Sequence, residues 1–201
     1  QAVRMFSLIV ASLAVLVFGL SAETVSLKSG LRFLAVNPVP RSVAMGGAGV
    51  AILPGSDAVW YNPALACSGE GFRIGAGYVN SFAGQFFACL HALVGFKNRE
   101  FGLVLTAYGA PDFAEVVNYE EISDVLRNRD LCIGVVYAGS FFLPGLTAGT
   151  VVKYVHSQKL EASADTVLAD LGAAYTVAAG NLLLTISALD LGLAADYGTM
   201  G

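Results

Sequence analysis

Charged side chains are scarce in this sequence. Only 13% of its 201 residues are Asp, Glu, Lys or Arg, whereas 56% are hydrophobic. A soluble domain carries about a quarter charged residues, so the usual charged exterior cannot be built from this composition. The composition predicts a surface that faces lipid, and the alternative is a very apolar soluble domain. The net charge of −4 and the scattered Lys and Arg argue against nucleic-acid binding.

Several other features are missing. After residue 22 no uninterrupted apolar run reaches the ~18 residues expected of a membrane-spanning helix. The motifs GxSxG, HExxH and CxxC are absent, so we predict no catalytic residues, no metal site and no cofactor. Cys67, Cys89 and Cys132 are odd in number, which favours buried thiols over a disulfide.

The first apolar run has the length typical of a signal peptide. It covers 16 residues from Met5 to Leu20, fewer than the ~20 that span a bilayer. The small residues Ser21 and Ala22 follow and offer a cleavage site. We therefore predict that residues 1–22 are a signal peptide that directs export. The alternative is an uncleaved anchor helix.

Strand-like segments follow one another from Phe72 onward. We interpret seven of them as strands, at 72–80, 84–96, 100–109, 130–141, 146–157, 166–178 and 181–190. Most have ~9–13 residues, close to the ~9–11 of a tilted membrane strand. Short and longer links alternate, and the longest, 110–129, is predicted to be an acidic outer loop. This rhythm is typical of outer-membrane proteins, so the predicted fold class is all-β, an antiparallel transmembrane β-barrel of about seven strands.

Alternation within two predicted strands places opposite charges on one face. Lys153 and Asp170 both fall on the face predicted to line the lumen. If the hairpin is centred between Glu161 and Ala162, the two residues lie directly opposite each other, and such a pair is favourable. Two separately solvated lumen charges are the alternative.

The densest motif lies before the strands, between Arg41 and Ala66, and reads RSVAMGGAGVAILPGSDAVWYNPALA. Its glycines do not form GxGxxG, so a nucleotide-binding loop is not indicated. Asn-Pro starts a turn, because the Asn side chain can bond backbone groups and Pro fixes φ. Glycines allow irregular backbone to approach other backbone closely. The residues that we single out here are Gly46, Gly47, Gly49, Asp57, Asn62, Pro63 and Ala64.

AMGGAGVAI followed by DAVWYNPALA resembles the N-terminal region of the FadL-like outer-membrane proteins, including the PorV and PorQ group and a related uncharacterised spirochaete family. GTVVKYVHSQKL and ADLGAAYTV resemble strands of that family. The resemblance covers about residues 30 to 198. It implies an outer-membrane location, a plug or hatch segment at 23–68 that contains the Asn-Pro-Ala turn, and a partial barrel wall at 69–201. Leu65 stands where the family commonly has Gly.

The resemblance also implies a function. The expected role is a channel or transporter for hydrophobic small molecules such as long-chain fatty acids. The alternatives are a non-transporting partner that docks secreted proteins or other outer-membrane proteins, a degenerate truncated copy, and a soluble secreted β-protein. Seven strands is an odd number for a bacterial single-chain barrel, and the family implies about twice as many. We therefore expect a fragment, a truncated product, or a chain that associates to close its barrel.

Overall fold

The computed structural model describes residues 31–47, 55–67, 69–81, 84–111, 113–117, 120–141, 143–160, 162–177, 182–192 and 195–197. These residues contain little helix: α1 at Pro40–Ala44 and three 3₁₀ turns at Arg32–Ala35, Ser56–Trp60 and Pro63–Ala66. The strands are β1 Gly71–Asn80, β2 Phe86–Phe96, β3 Arg99–Gly109, β4 Phe113–Val117, β5 Glu120–Ser140, β6 Leu146–Leu160, β7 Ala162–Thr176 and β8 Leu183–Gly192. No helix in these ranges is long and apolar enough to cross a membrane.

The strands form one antiparallel sheet. Its order is β1-β2-β3-β5-β6-β7-β8, and β4 pairs with β5 beside this path. Successive strands on the path are neighbours, so the chain runs as a meander. The predicted all-β, antiparallel fold with seven successive strands is confirmed. Through the described residues the path is open, because β1 and β8 lie at its two ends.

The prediction of an acidic loop at 110–129 is wrong. The chain there forms β4 and the first half of β5, which pair with each other from Phe113 opposite Leu126 to Val117 opposite Glu120. The register shifts between Ala114 and Glu115. Valine and isoleucine within this stretch favour extended backbone, and the carboxylates between them do not prevent it. A strand hairpin therefore replaces the loop.

The link predicted between the fifth and sixth segments is also shorter than expected. β6 continues to Leu160 and β7 begins at Ala162, so most of the predicted link at 157–165 belongs to strands. Lys153 pairs with Leu168, and Asp170 pairs with Val151. The hairpin is therefore centred one residue earlier than the sequence suggested, and the partner of each β6 residue is shifted by two residues along β7.

Side chains alternate between two faces of the sheet, as period-two strands require. We call the face contacted by the N-terminal segment (residues 31–67) the inner face and the opposite one the outer face. The outer face exposes large apolar side chains on every strand of the seven-strand path: Phe72, Ile74, Tyr78, Leu90, Val94, Phe101, Leu103, Leu131, Ile133, Val135, Val152, Tyr154, Val167, Leu171, Leu184 and Ile186. The outer face is therefore apolar from one end of the path to the other.

The core lies between the N-terminal segment and the inner face. One cluster joins Val59 and Ala66 of the segment to the buried side chains of Leu93, Val104, Val136 and Val151. Another joins Leu31 and Phe33 to Phe87, Cys89, Cys132, Val155 and Leu168. Burial of these side chains holds the segment against the sheet, because each removes apolar surface from water.

Candidate functional site

The Asn-Pro-Ala turn of the N-terminal segment is fully buried against the inner face. The side-chain oxygen of Asn62 accepts a hydrogen bond from the backbone N–H of Ala64 at 3.0 Å. Its amide nitrogen donates to the carbonyl oxygens of Ala173 on β7 and Ile186 on β8, both at 3.3 Å. Only an amide side chain supplies an acceptor and two donors at one point. Asn62 therefore closes its own turn and also attaches it to two strands.

Two glycines on adjacent strands make room for this turn. Gly149 on β6 pairs with Gly172 on β7. A Cβ atom at Gly149 would lie 2.5 Å from the carbonyl carbon of Pro63, and one at Gly172 would overlap the amide oxygen of Asn62. The sequence interpretation did not single out either glycine. The signal that could have identified them is a glycine at an inner-face position in each of two neighbouring strands.

A second attachment involves Trp60, Asp57 and His91 of β2. The indole N–H of Trp60 donates to Nδ1 of His91 at 3.3 Å, so Nδ1 is the unprotonated ring nitrogen. Oδ1 of Asp57 lies 3.5 Å from Nε2 of His91. The ring is buried above Gly75, where a Cβ atom would lie 2.6 Å from Nε2. Asp57 was predicted to belong to the plug motif, and the structure places its carboxylate beside His91 of β2.

Asn37 organises the start of the N-terminal segment. Its side-chain oxygen accepts from the backbone N–H of Val39 at 3.1 Å and from the hydroxyl of Tyr61. Its nitrogen donates to Oγ of Ser42 at 3.0 Å. Burial raises the pKa of the Tyr61 phenol above its usual range, so the phenol remains a neutral donor. The sequence interpretation missed Asn37.

Two of the three motif glycines, Gly46 and Gly47, lie within the described residues. Gly46 and Gly47 follow α1 with φ values of 66° and 86°, and a Cβ atom at either would meet open space. They are needed for backbone conformation at the end of the helix, and no close approach to other backbone requires a glycine at either position. Gly49 lies outside the described residues.

The structure brings Lys153 and Asp170 together on the inner face. Nζ of Lys153 lies 2.6 Å from Oδ2 of Asp170 and 2.7 Å from Oδ1 of Asp190 on β8. Lys153 and Asp170 are diagonal neighbours across β6 and β7, and the long lysine side chain spans the offset. The expectation that they lie directly opposite is wrong, because the hairpin is centred one residue earlier. Asp190, which sequence interpretation missed, is the third member.

Two further groups of charges lie on the inner face. Arg73 of β1 pairs with the fully buried Glu100 of β3. Asp130 of β5 accepts from the hydroxyl of Ser157 and pairs with Lys159 at 2.5 Å. The hydroxyl of Ser157 also lies 2.6 Å from that of Tyr197. Inner-face charges in period-two strands are the signal that could have identified Glu100 and Asp130.

The cysteines are free thiols. Cys89 and Cys132 are buried on the inner face, as predicted. Cys67 is partly exposed at the end of the N-terminal segment, with its sulfur 3.4 Å from the carbonyl oxygen of Asn98. Burial raises the pKa of the Cys67 thiol, so it is not activated as a nucleophile. Across the described ranges no group of three or more His, Cys, Asp and Glu side chains could hold a metal ion.

A cavity of about 330 Å³ lies between the N-terminal segment and the inner face. Its apolar lining comes from both sides and includes Phe33, Leu34, Val36, Trp60, Phe87 and Leu189. Its polar lining includes Thr106, Cys132, Lys153 and Asp190. The arrangement is typical of small-molecule sites, which are mostly apolar with a few placed polar groups.

An adjoining cavity of about 350 Å³ has charges of both signs in its lining. Arg32 and Lys159 contribute the positive charges, Asp130 the negative charge, and Phe33, Val36 and Tyr108 the apolar surface. Phe33 and Val36 line both cavities.

The chain matches no protein-family model, and searches of curated proteins and of solved structures give no match.

Proposed function

We propose that this chain forms the wall and plug of an outer-membrane β-barrel that passes hydrophobic small molecules, such as long-chain fatty acids. The observation that carries the proposal is the mostly apolar cavity between the N-terminal segment and the inner face. Its volume of about 330 Å³ is within the range of ligand sites, about 300–1,000 Å³. A molecule that occupies it contacts both the proposed plug and the proposed wall.

The division of side chains between the two faces supports a membrane location. The outer face exposes large apolar residues along the whole strand path, whereas Glu100, Lys153 and Asp170 are buried on the inner face with charged partners. This is the arrangement of barrels that face lipid outside and polar surroundings inside. A closed wall also requires that the edges of β1 and β8 be paired, because unpaired backbone groups are costly in lipid.

Passage of a ligand requires that the plug loosen or shift, so the test weakens its attachment. Asn62→Ala removes the hydrogen bonds to β7 and β8. We expect the variant to insert into vesicles normally, with heat-modifiable migration on gels, and to take up labelled oleate several-fold faster than the native chain. Asn98→Ala, which removes an asparagine side chain from the turn between β2 and β3, is the matched control. Equal flux with and without the protein, for oleate and also for the uncharged oleyl alcohol, would contradict the proposal.

The strand hairpin of β4 and β5 favours a second candidate, a partner protein that docks secreted proteins. This hairpin pairs beside the seven-strand path and carries Glu115, Glu120, Glu121 and Asp124 in its sequence. Transport through the proposed barrel does not require four carboxylates in a hairpin beside the strand path. Co-purification of a large partner that is lost when residues 113–126 are replaced by a short Gly-Ser turn, with oleate flux absent, would favour docking over transport.

A further inference from the structure

Three charged side chains meet at the cavity between the N-terminal segment and the inner face, and their charges do not cancel. Lys153 supplies one positive charge, and Asp170 and Asp190 each supply a carboxylate within 2.7 Å of its Nζ atom. With the three groups ionised, the cluster has a net charge of −1. Lys153 and Asp190 are the charged residues that line this cavity. A ligand in the cavity therefore meets a lysine whose charge is already matched.

Asp190 is the member of the cluster that a ligand can reach. The side chain of Asp170 is 2% exposed and that of Lys153 is 10% exposed, whereas that of Asp190 is 31% exposed. Asp170 does not line the cavity. The chemical character of the polar end is therefore set by a carboxylate that is partly open to the cavity.

The backbone fixes the position of this carboxylate. Asp190 has a φ of 55°, in the left-handed region, and its N–H donates to Oδ1 of Asp170 at 2.8 Å. The pairing of β7 with β8 is irregular between Ala169 and Leu171, opposite this point. A residue is kept in such a conformation only when its surroundings over-determine it. Asp190 is therefore held with its carboxylate beside Lys153 before any ligand binds.

This geometry discriminates between head groups. A ligand carboxylate would compete with two aspartates for one lysine and would lie beside Asp190, and like charges repel strongly where water is excluded. A ligand ammonium would donate to Asp190 and neutralise the excess charge, and hydrogen bonds between charged groups are the stronger class. A hydroxyl would donate without supplying charge. The apolar lining accommodates the ligand chain in all three cases.

We propose that the cavity between the N-terminal segment and the inner face selects apolar molecules with a cationic ammonium head, bound by Asp190, over those with a carboxylate. This inference rests on the proposed function and names the ligand class of the same site. It departs from the fatty acids that the sequence resemblance implies, because the lysine at the site is not available to a carboxylate.

The test compares three ligands of one chain length: decylammonium, decanoate and decanol. Trp60 is the single tryptophan of the chain and lines the cavity, so its fluorescence reports binding. The protein is reconstituted in nanodiscs of zwitterionic lipid, and empty nanodiscs correct for partition into the bilayer. We expect decylammonium to bind about tenfold or more tightly than decanoate, as one charge-assisted hydrogen bond predicts, with decanol between them.

A charge-removing variant assigns the effect to Asp190. Asp190→Asn keeps the side-chain shape, and Asn tolerates the left-handed backbone. We expect it to reduce the preference for decylammonium over decanoate to about twofold or less, with binding of decanol unchanged, because an amide supplies no charge. Asp165→Asn removes the same charge from an exposed residue near the β6–β7 hairpin and should retain the native preference.

The outcomes separate the two proposals. Decanoate binding as tightly as decylammonium to the native chain would overturn the inference and leave the proposed function standing. In that case Arg32 and Lys159 of the adjoining cavity would be the residues expected to bind the carboxylate. A native preference that Asp190→Asn does not alter would overturn the role of Asp190. Absence of any signal from all three ligands would overturn the inference and the proposed function together.

Discussion

The inner and outer faces of the sheet are built by the same strands but differ in where polar groups lie. Polar side chains on the inner face are buried with partners, whereas the outer face mostly exposes apolar side chains. On β6, Lys153 and Ser157 point inward and are buried with charged or polar partners. Val152 and Tyr154, which alternate with them, point outward and are about half exposed. Position along the strand, odd or even, therefore decides which substitutions the chain can accept. The low content of charged residues is explained by an outer face that exposes apolar side chains and an inner face on which the few charged side chains are paired.

The inner face also differs in how closely the backbone is approached. Gly149 and Gly172 lie under the Asn-Pro-Ala turn with no room for a Cβ atom. Gly139 of β5, in contrast, has its nearest neighbours at 3.5 Å, which is ordinary contact. The inner glycines are thus required by packing of the N-terminal segment, whereas Gly139 is not. Substitutions can test each side of this comparison.

The largest effect is expected from removal of the buried inner-face cation. Lys153→Ala leaves Asp170 and Asp190 without a counter-charge, and breaking a buried ion pair costs about 3–5 kcal/mol. The free energy of unfolding, measured by urea titration in lipid vesicles, should fall by this amount. Lys97→Asn is the control, because Lys97 has a positive φ that Asn tolerates and lies in an exposed turn. Equal effects of the two substitutions would mean that the inner face does not depend on paired charge.

A charge introduced on the outer face should have the next largest effect. Val135 is 60% exposed and lies near the middle of the part of β5 that pairs with β3. By surface exposure alone Val135→Arg would be almost neutral. If the outer face contacts lipid, Arg at mid-bilayer costs about 2–4 kcal/mol. Ser140→Arg, at the exposed end of the same strand, is expected to cost much less. An unchanged free energy of unfolding for Val135→Arg in vesicles would break the comparison between the faces and favour a soluble protein.

Filling the space under the Asn-Pro-Ala turn should have an intermediate effect. Gly149→Ala places a Cβ atom 2.5 Å from the carbonyl carbon of Pro63, and overpacking of this kind costs about 1–3 kcal/mol. Gly139→Ala meets only ordinary contacts and should change stability little. Urea titration of both variants tests the difference. Similar stability for the two would show that the N-terminal segment does not depend on a close approach to β6.

The sequence was sufficient to predict the meander, because strand length, turn spacing and period-two alternation are local properties. Five of the seven predicted segments begin within two residues of the observed strand starts. The strand predicted to begin at 166 starts at Ala162, and the strand predicted to begin at 130 starts at Glu120. The carboxylates near Glu120 suggested a solvated loop, but the valine and isoleucine residues between them favour a strand. Local composition can therefore mislead where a hairpin extends beyond the rest of the sheet.

The site was harder to predict, because its contacts join residues far apart in the chain. Lys153 and Asp170 were expected to pair, since they lie on adjacent strands, but a one-residue error in the hairpin centre changed their register. Asp190 could not be added without knowing that β8 lies beside β7 and is irregular there. The pairing of His91 with Trp60 depends on how the N-terminal segment packs, which no local pattern specifies.

The smallest effects should come from single hydroxyl groups, and here the two faces can be compared directly on β6. Ser157→Ala removes a buried donor to Asp130, and loss of a hydrogen bond to a charged group costs about 1.5 kcal/mol or more. Tyr154→Phe removes a hydroxyl that donates to the exposed Asp165 at 2.7 Å, toward the β6–β7 hairpin. Water at that end of the sheet can replace the bond, so the cost should stay below about 0.5 kcal/mol. Both values follow from urea titration under one set of conditions. A larger loss for Tyr154→Phe than for Ser157→Ala would contradict this comparison, because it would mean that the Tyr154–Asp165 bond is shielded from water and that the Ser157–Asp130 bond is not.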